Sequence, residues 1–272
     1  MIGKSRIGNL FLTLLTWFVI ILFSFPFVWM VLASFKNQAQ IMSTHNIFWF
    51  KPTGDNYVQV FGQYAFLKFI WNSLVVAVGS TIGALILGLP AAYAIARYQL
   101  HRLGSIVLIA RIIPGITFLI PWFILFSNLR LVDTYTALIL SHMLVGLPFV
   151  IWIMISYFES LPQEIEESGL IDGSSKLGVF LRIVLPISGA GIVSSSLLSL
   201  IFSWNNFMFS LILAGDKTKT LPLAVFNFLS YAEVNWGGLM AASCIITLPV
   251  LLIALIAQRY ITGGLAAGAV KG

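Results

Sequence analysis

The chain is short of charge. Asp, Glu, Lys and Arg make up 9% of its 272 residues, where a soluble domain carries roughly 25%. With 59% apolar residues and a mean hydropathy of +0.99, it cannot cover a water-facing surface, and composition alone places it in a bilayer. Cysteine is nearly absent. Cys244 has no partner for an internal disulfide and sits in an apolar run, where it reads as a small packing residue. Acidic residues number 9 against 15 basic ones. The net charge of +6 is too small to indicate nucleic acid; in such a chain it sets orientation. No Asp or Glu lies in the core of any long apolar run, and Glu159 and Glu233 stand only at edges. Ion-coupled carriers usually keep carboxylates inside the membrane, so ion-coupled solute transport is the weaker alternative. His45, His101 and His142 are far apart, with no cluster of metal ligands, so no catalytic residue and no metal site is assigned. The Gly-x-x-x-x-Gly-Lys-Ser/Thr phosphate loop is also missing; no ATP hydrolysis is expected in this chain.

What is present is long apolar runs. A spanning helix needs about 20 mostly apolar residues. Charges and turn residues divide the chain into six such stretches, near Asn9–Ser34, Phe69–Ala96, Ser105–Ser127, Thr136–Phe158, Ile187–Ala214 and Gly237–Ala257. Barrel strands would alternate over about 10 residues; these runs are continuous. The fold class is therefore all-α integral membrane protein with six transmembrane helices, one domain over residues 1–272. The first run follows Lys4 and Arg6 and is too long for a signal peptide, so it reads as a retained first helix. An even number of spans puts both termini on one side. Lys4, Arg6, Arg97, Arg102, Lys176, Arg182, Arg259 and Lys271 fall there, and Lys36, Lys51, Lys68, Arg130, Lys217 and Lys219 fall on the other. The bias favours cytoplasmic termini. Residues 36–68 form the longest external loop, and Trp49, Phe50, Tyr57 and Phe61 suggest that it folds against something. Every span or its edge holds a proline: Pro26, Pro90, Pro114, Pro121, Pro148, Pro186 and Pro249. Prolines kink helices and open gaps between them.

One inner segment, residues 159–186, is unlike the rest. It reads as helix, turn, helix. Ser160 and Gln163 have capping-box spacing with Pro162 in the first turn. Glu164, Glu166 and Glu167 cluster where the helix dipole favours acids. Asp172-Gly173 is a turn dipeptide. Leu177, Phe180, Leu181 and Val184 then recur at i, i+3, i+4 and i+7, which predicts an apolar face. A solvated loop explains the acids but not a two-helix build with an apolar face, which suits docking onto a partner protein.

This segment resembles the EAA loop of bacterial ABC-importer permeases: Glu-Ala-Ala, three residues, Gly, nine residues, Ile, any residue, Leu-Pro. Glu167-Ser168-Gly169 stands for the triplet, and Gly173, Ile183, Leu185 and Pro186 follow at the expected spacing. Ser168 and Gly169 replace alanines, and a glycine there can loosen the helix end by about 1 kcal/mol. Arg111-Ile112-Ile113-Pro114, Leu131-Val132-Asp133-Thr134-Tyr135, Ser203-Trp204-Asn205-Asn206-Phe207, Thr220-Leu221-Pro222 and the tail from Gly264 to Gly272 are similar to the carbohydrate branch, the maltose-type permeases. The resemblance implies a type I ABC-importer permease fold in the bacterial inner membrane, translocating a sugar or sugar-like solute by alternating access. It implies a homologous second permease, two copies of an ABC ATPase that bind ATP and Mg, and an external solute-binding protein. The loop would be a coupling helix seated in the ATPase, with Glu167 pairing a cationic group, Ser168 and Gly169 packing, Leu170 and Ile171 giving apolar contact, and Asp172-Gly173 forming the turn. The cytoplasmic tail, residues 258–272, resembles tails that reach into the ATPase dimer; a disordered end is the other reading.

For the solute path the candidates are Arg111, Trp204, Asn205 and Asn206. An aromatic with two amides suits a sugar, and helix–helix hydrogen bonding is the alternative. Arg111 is the one formal charge inside a span, roughly 9 Å from the inner end at 1.5 Å per residue; it either faces the bundle interior or bonds carbonyls freed by Pro114. Gly191, Ser195, Ser199 and Ser203 form a small-residue stripe at i+4 spacing, the mark of close helix packing. His142 reads as an interhelical hydrogen-bond donor.

Overall fold

A computed structural model describes residues 6–45, 47–63, 65–110, 112–229 and 234–269. In chain order the helices are α1 (Arg6–Ser34), α2 (Gln38–Met42), α3 (Asp55–Gln63), α4 (Phe66–Arg97), α5 (His101–Ala110), α6 (Leu119–Asn128), α7 (Tyr135–Ser160), α8 (Glu164–Ile171), α9 (Lys176–Val179), α10 (Leu185–Ile187), α11 (Gly189–Trp204), α12 (Met208–Leu213), α13 (Leu221–Ala224) and α14 (Trp236–Ala269). Among the described residues no strand forms beyond an isolated bridge between Leu229 and Val234.

Four helices are long and apolar enough to cross a membrane by themselves, and up to six spans result if two bent helix pairs each count as one. The continuous third and fifth helices expected from hydropathy are both broken. The third divides into α5 and α6 around Pro114, joined through a 3₁₀ turn at Gly115–Phe118. The fifth starts later than expected. The chain bends by 78° between the arm Lys176–Ile187 and α11, where Ser188 turns its hydroxyl back onto the Val184 carbonyl (2.7 Å). It breaks again after Trp204, before α12. Hydropathy sees apolar length and is blind to such breaks, because proline and serine pass unnoticed in an apolar window. The last helix continues well beyond the expected Ala257, to Ala269.

The chain divides into two compact units. One comprises Met1–Ala65 and Val225–Thr247. Here the long loop after α1 folds against its own unit. Asn37 and Gln40 form a reciprocal cap on α2. Asn56 Nδ2 donates to the carbonyls of Ser34 (2.7 Å) and Lys36 (2.8 Å), and Gln38 is tied to Val234 and Trp236. The Lys36 ammonium is buried, lies over the rings of Trp29 and Phe50, and donates to the Ile47 carbonyl. Two aromatic faces and a carbonyl thus replace its hydration.

The other unit comprises Phe66–Ala224 and Leu248–Gly272. Its centre is α4, α7 and α11. Close approach is set by glycine: a Cβ at Gly79, Gly83 or Gly88 of α4 would meet Ile139, Met143 or Val150 of α7 at 2.6–2.8 Å. The stripe on α11 is buried here, with a Cβ at Gly191 meeting the Tyr157 ring at 2.6 Å and one at Gly146 meeting Ser199 Oγ at 2.5 Å. Ser203 Oγ lies 2.9 Å from Ser80 Oγ and 2.7 Å from His142 Nδ1, so one hydroxyl links all three helices. Without a hydrophobic drive between helices in lipid, small residues and buried hydroxyls supply the cohesion.

Candidate functional site

The two ends of α4 carry different chemistry. At 1.5 Å per residue the helix is roughly 48 Å long, so these ends belong to opposite sides of a bilayer.

At the Phe66 end, a polar network holds the loop between α12 and α13. Asp133, with φ +60°, accepts from the backbone N–H groups of Gly215 (2.9 Å), Lys217 (3.2 Å) and Thr218 (3.0 Å) and from the Thr218 hydroxyl (2.7 Å). Burial pushes its carboxyl pKa up, but these hydrogen bonds outweigh burial and hold it below the usual 3.8. Asn72 donates to the carbonyls of Lys217 (3.1 Å) and Lys219 (2.9 Å) and accepts from the Tyr135 hydroxyl (2.7 Å).

At the Arg97 end lies the helical hairpin of residues 159–186. The expected capping box does not form. Pro162 forces Leu161 into an extended conformation (φ −79°, ψ 134°), so Ser160 remains in α7 and donates to the Tyr157 carbonyl (2.7 Å). Helix α8 begins at Glu164 with no side-chain cap. It ends at Asp172-Gly173: Gly173 takes φ +84°, and the N–H groups of Gly173 and Ser174 return to the Leu170 and Gly169 carbonyls (both 3.0 Å). This closure needs a residue without a Cβ penalty in the left-handed region. Ser175 then caps α9 through Gly178 N–H (3.1 Å).

The apolar face expected on the second arm is redrawn. Val179, Phe180 and Val184 are buried, while Leu177 and Leu181 are exposed. Leu177 and Leu181, four residues apart, share the outward side of the arm, and Phe180–Val184 forms a π-turn. Gly169 is also more than a tolerated small residue. It is buried, and a Cβ there would stand 2.5 Å from Ile183 Cδ1 and 3.2 Å from Val179 Cγ2. It sets the closeness of the two arms.

The residues expected to meet a partner lie on the open side of the hairpin. Glu167, Ser168, Asp172 and Gly173 are exposed, Leu170 is 42% exposed and Ile171 85%. Glu164, Glu167 and Asp172 are the exposed acids that flank these apolar residues in the sequence. Burying an isoleucine so exposed is worth about 2 kcal/mol.

The sequence reading missed the residues on the closed side. Glu166 is 9% exposed. Its Oε1 accepts from Arg97 Nε (2.6 Å) and pairs with Arg97 Nη2 (2.5 Å), and its Oε2 accepts from the Tyr93 hydroxyl (2.6 Å). Glu166 and Glu167 are adjacent acids with opposite surroundings, and helical periodicity alone did not say which faced inward.

Of the solute-path candidates, Trp204 is buried in the α4, α7 and α11 unit. Asn205 is exposed at the helix break and donates to the Ile201 carbonyl (3.0 Å). The Asn206 side chain accepts from Phe209 N–H (3.1 Å) and starts α12. Arg111 lies outside the described residues. Among the described residues no group of three His, Cys, Asp or Glu side chains is placed to hold a metal.

The family model for the binding-protein-dependent transport system inner membrane component matches residues 84–266. The chain belongs to this family. As a binding-protein-dependent ABC permease it is a transport subunit of the inner-membrane class, which sets aside the ion-coupled alternative. It is similar to a probable ABC transporter permease of Sinorhizobium fredii, 36% identical over 99% of this chain and 98% of the relative. It is also similar to a trehalose/maltose transport system permease of Thermococcus litoralis, 34% identical over 91% of each. Among solved structures, a bacterial ABC transporter involved in the import of the acidic polysaccharide alginate matches 96% of this chain and 98% of its own, with a TM-score of 0.81 at 18% identity. That likeness is one of fold, and it makes this permease type I.

Proposed function

We propose that this permease carries a sugar or sugar-like solute across the membrane, driven by ATP and Mg held in two copies of a partner ATPase. A second, homologous permease and an external solute-binding protein complete the importer. The sugar class is supported by relatives whose names specify trehalose/maltose, sulfoquinovosyl glycerol and diacetylchitobiose transport. Both termini are cytoplasmic, which puts the hairpin in the cytosol with the ATPase and the Asp133 network outside with the binding protein.

One observation carries the coupling role. The turn of the hairpin presents Glu167, Leu170 and Ile171 to solvent while its opposite side is fixed to α4 and α7. Glu167 pairs with a cation of the ATPase, Leu170 and Ile171 fill an apolar cleft, and Gly169 and Gly173 keep the hairpin narrow enough to enter it, with Ser168 and Asp172 at the rim. The exposed Asn205 amide at the helix break is where solute is contacted, with Trp204 behind it and Asn206 holding the break.

The test is Glu167→Ala in the complete importer. A charge-assisted hydrogen bond contributes about 1.5–3 kcal/mol, so membrane insertion stays normal while solute-stimulated ATPase activity and uptake fall roughly ten- to a hundredfold. Normal uptake in this variant overturns the coupling assignment.

A further inference from the structure

The outward face of α8 accounts for docking but not for how a push on it reaches the spans. A hairpin that only rested on the bundle would be displaced without moving it. Three side chains of the permease answer this. Tyr93 and Arg97 stand one turn apart on the last turns of α4, and both bond Glu166 of α8. The Tyr93 ring also packs on Phe180 of the second arm (centroids 4.8 Å apart) and on Phe158 of α7 (5.7 Å). One aromatic therefore touches both arms of the hairpin and two spans. Arg97 reaches further, toward the carbonyl of Leu161, where α7 leaves the bundle (3.4 Å). The side chains of Arg97 and Glu166 are 10% and 11% exposed. A buried pair of this kind holds its geometry, because parting the charges leaves each uncompensated in a poorly solvated place.

We infer that Glu166, Arg97 and Tyr93 form a rigid clasp through which displacement of the docked hairpin is transmitted to α4, with Glu166 the positioning residue and Glu167 beside it the docking residue. The division of labour is set by orientation: in adjacent positions, one carboxylate turns inward and the other outward. This rests on the coupling role proposed for the exposed turn. Loss of the clasp leaves the ATPase bound and turning over, but each turnover moves the spans less. The signature is a lower ratio of solute imported to ATP hydrolysed, rather than loss of assembly.

The experiment uses the assembled importer in proteoliposomes, with solute import and ATP hydrolysis measured on the same vesicles and the ATPase content of the purified complex checked. Glu166→Gln and Arg97→Gln keep the ATPase in the complex and lower the import-to-hydrolysis ratio about three- to tenfold, inside the range that residues along a coupling route command. The charge-exchanged double variant R97E/E166R recovers at least half of the ratio; a purely steric role would not be rescued. Glu167→Ala separates the two readings. If E167A is impaired while E166Q and R97Q keep the wild-type ratio, the clasp is overturned and the docking role stands. If E167A is normal, the coupling role of the turn fails first. Should E166Q or R97Q not assemble, Tyr93→Phe decides, since it removes one hydroxyl and keeps the ring: a ratio about twofold lower supports the clasp, and an unchanged ratio overturns it.

Discussion

Asp133 illustrates how much one residue of this chain can hold. Its carboxylate collects three backbone N–H groups and one hydroxyl from the loop at 215–218. Its folded pKa lies below the ordinary 3.8, so its contribution is complete above that value and is lost as pH falls through the lower folded one. Protection of the Gly215, Lys217 and Thr218 amides against hydrogen exchange, corrected for intrinsic rates, is expected to be flat from neutral pH down to about 5 and to drop below about 4. Asp133→Asn should reduce it at neutral pH already, by roughly tenfold, the worth of a hydrogen bond to a charged acceptor. Unchanged protection in that variant would show that the loop is held without Asp133, by anchors such as Asn72, Ser73 and Lys68, whose Nζ donates to the Asp216 carbonyl (2.9 Å). Asn72 Nδ2 reaches two carbonyls, and Ser73 Oγ takes Leu221 N–H (2.8 Å).

At the scale of elements, the α4, α7 and α11 packing depends on missing atoms. Gly146 faces Ser199 so closely that an added Cβ would stand 2.5 Å from its Oγ. Gly146→Ala should therefore cost about 1–3 kcal/mol by overpacking, read as a lower unfolding midpoint in detergent. Ser199→Ala removes the obstructing oxygen and should return most of that loss in the double variant, since the Ser199 contact to Thr81 is long at 3.5 Å. An additive double variant would mean that the two positions do not meet. The hairpin shows the same economy. Gly169 packs its arms together, a π-turn at Phe180–Val184 interrupts the second arm, and Pro162 sets where the first begins. Each is a local departure from helix regularity next to the surface assigned to function.

At the scale of the whole molecule, the six-span reading makes a claim about sidedness that chemistry can check. Cys244 is the single cysteine, so a Cys244→Ser background is free of thiols. In that background Lys217→Cys should react with a membrane-impermeant maleimide on intact cells, and Asp172→Cys only after permeabilisation. Labelling of both from one side would overturn the topology and with it the coupling role. Much of this scale was legible in the sequence. The long helices α1, α4, α7 and α14 followed from apolar length, and the turn of the hairpin from the Asp172-Gly173 dipeptide. Less could be read of the helix breaks after Ala110 and Trp204, because an apolar window scores a broken helix and a straight one alike. The clasp was not legible at all. Glu166 and its partners Arg97 and Tyr93 are separated by 69 and 73 residues, and no local pattern links them.

By itself the amino-acid order determined the solvent of this protein, the apolar stretches that become its long helices and the helix-turn-helix build of the segment between α7 and α11. Each of these follows from hydropathy, charge and spacing over a few turns of helix. Only the tertiary structure decided that Glu166 turns inward while Glu167 turns outward, that Leu181 leaves the apolar face, and that Ser203 joins three helices. Those outcomes depend on which groups from distant parts of the chain arrive at the same place, and a buried charge or hydroxyl takes the orientation in which its partners are met.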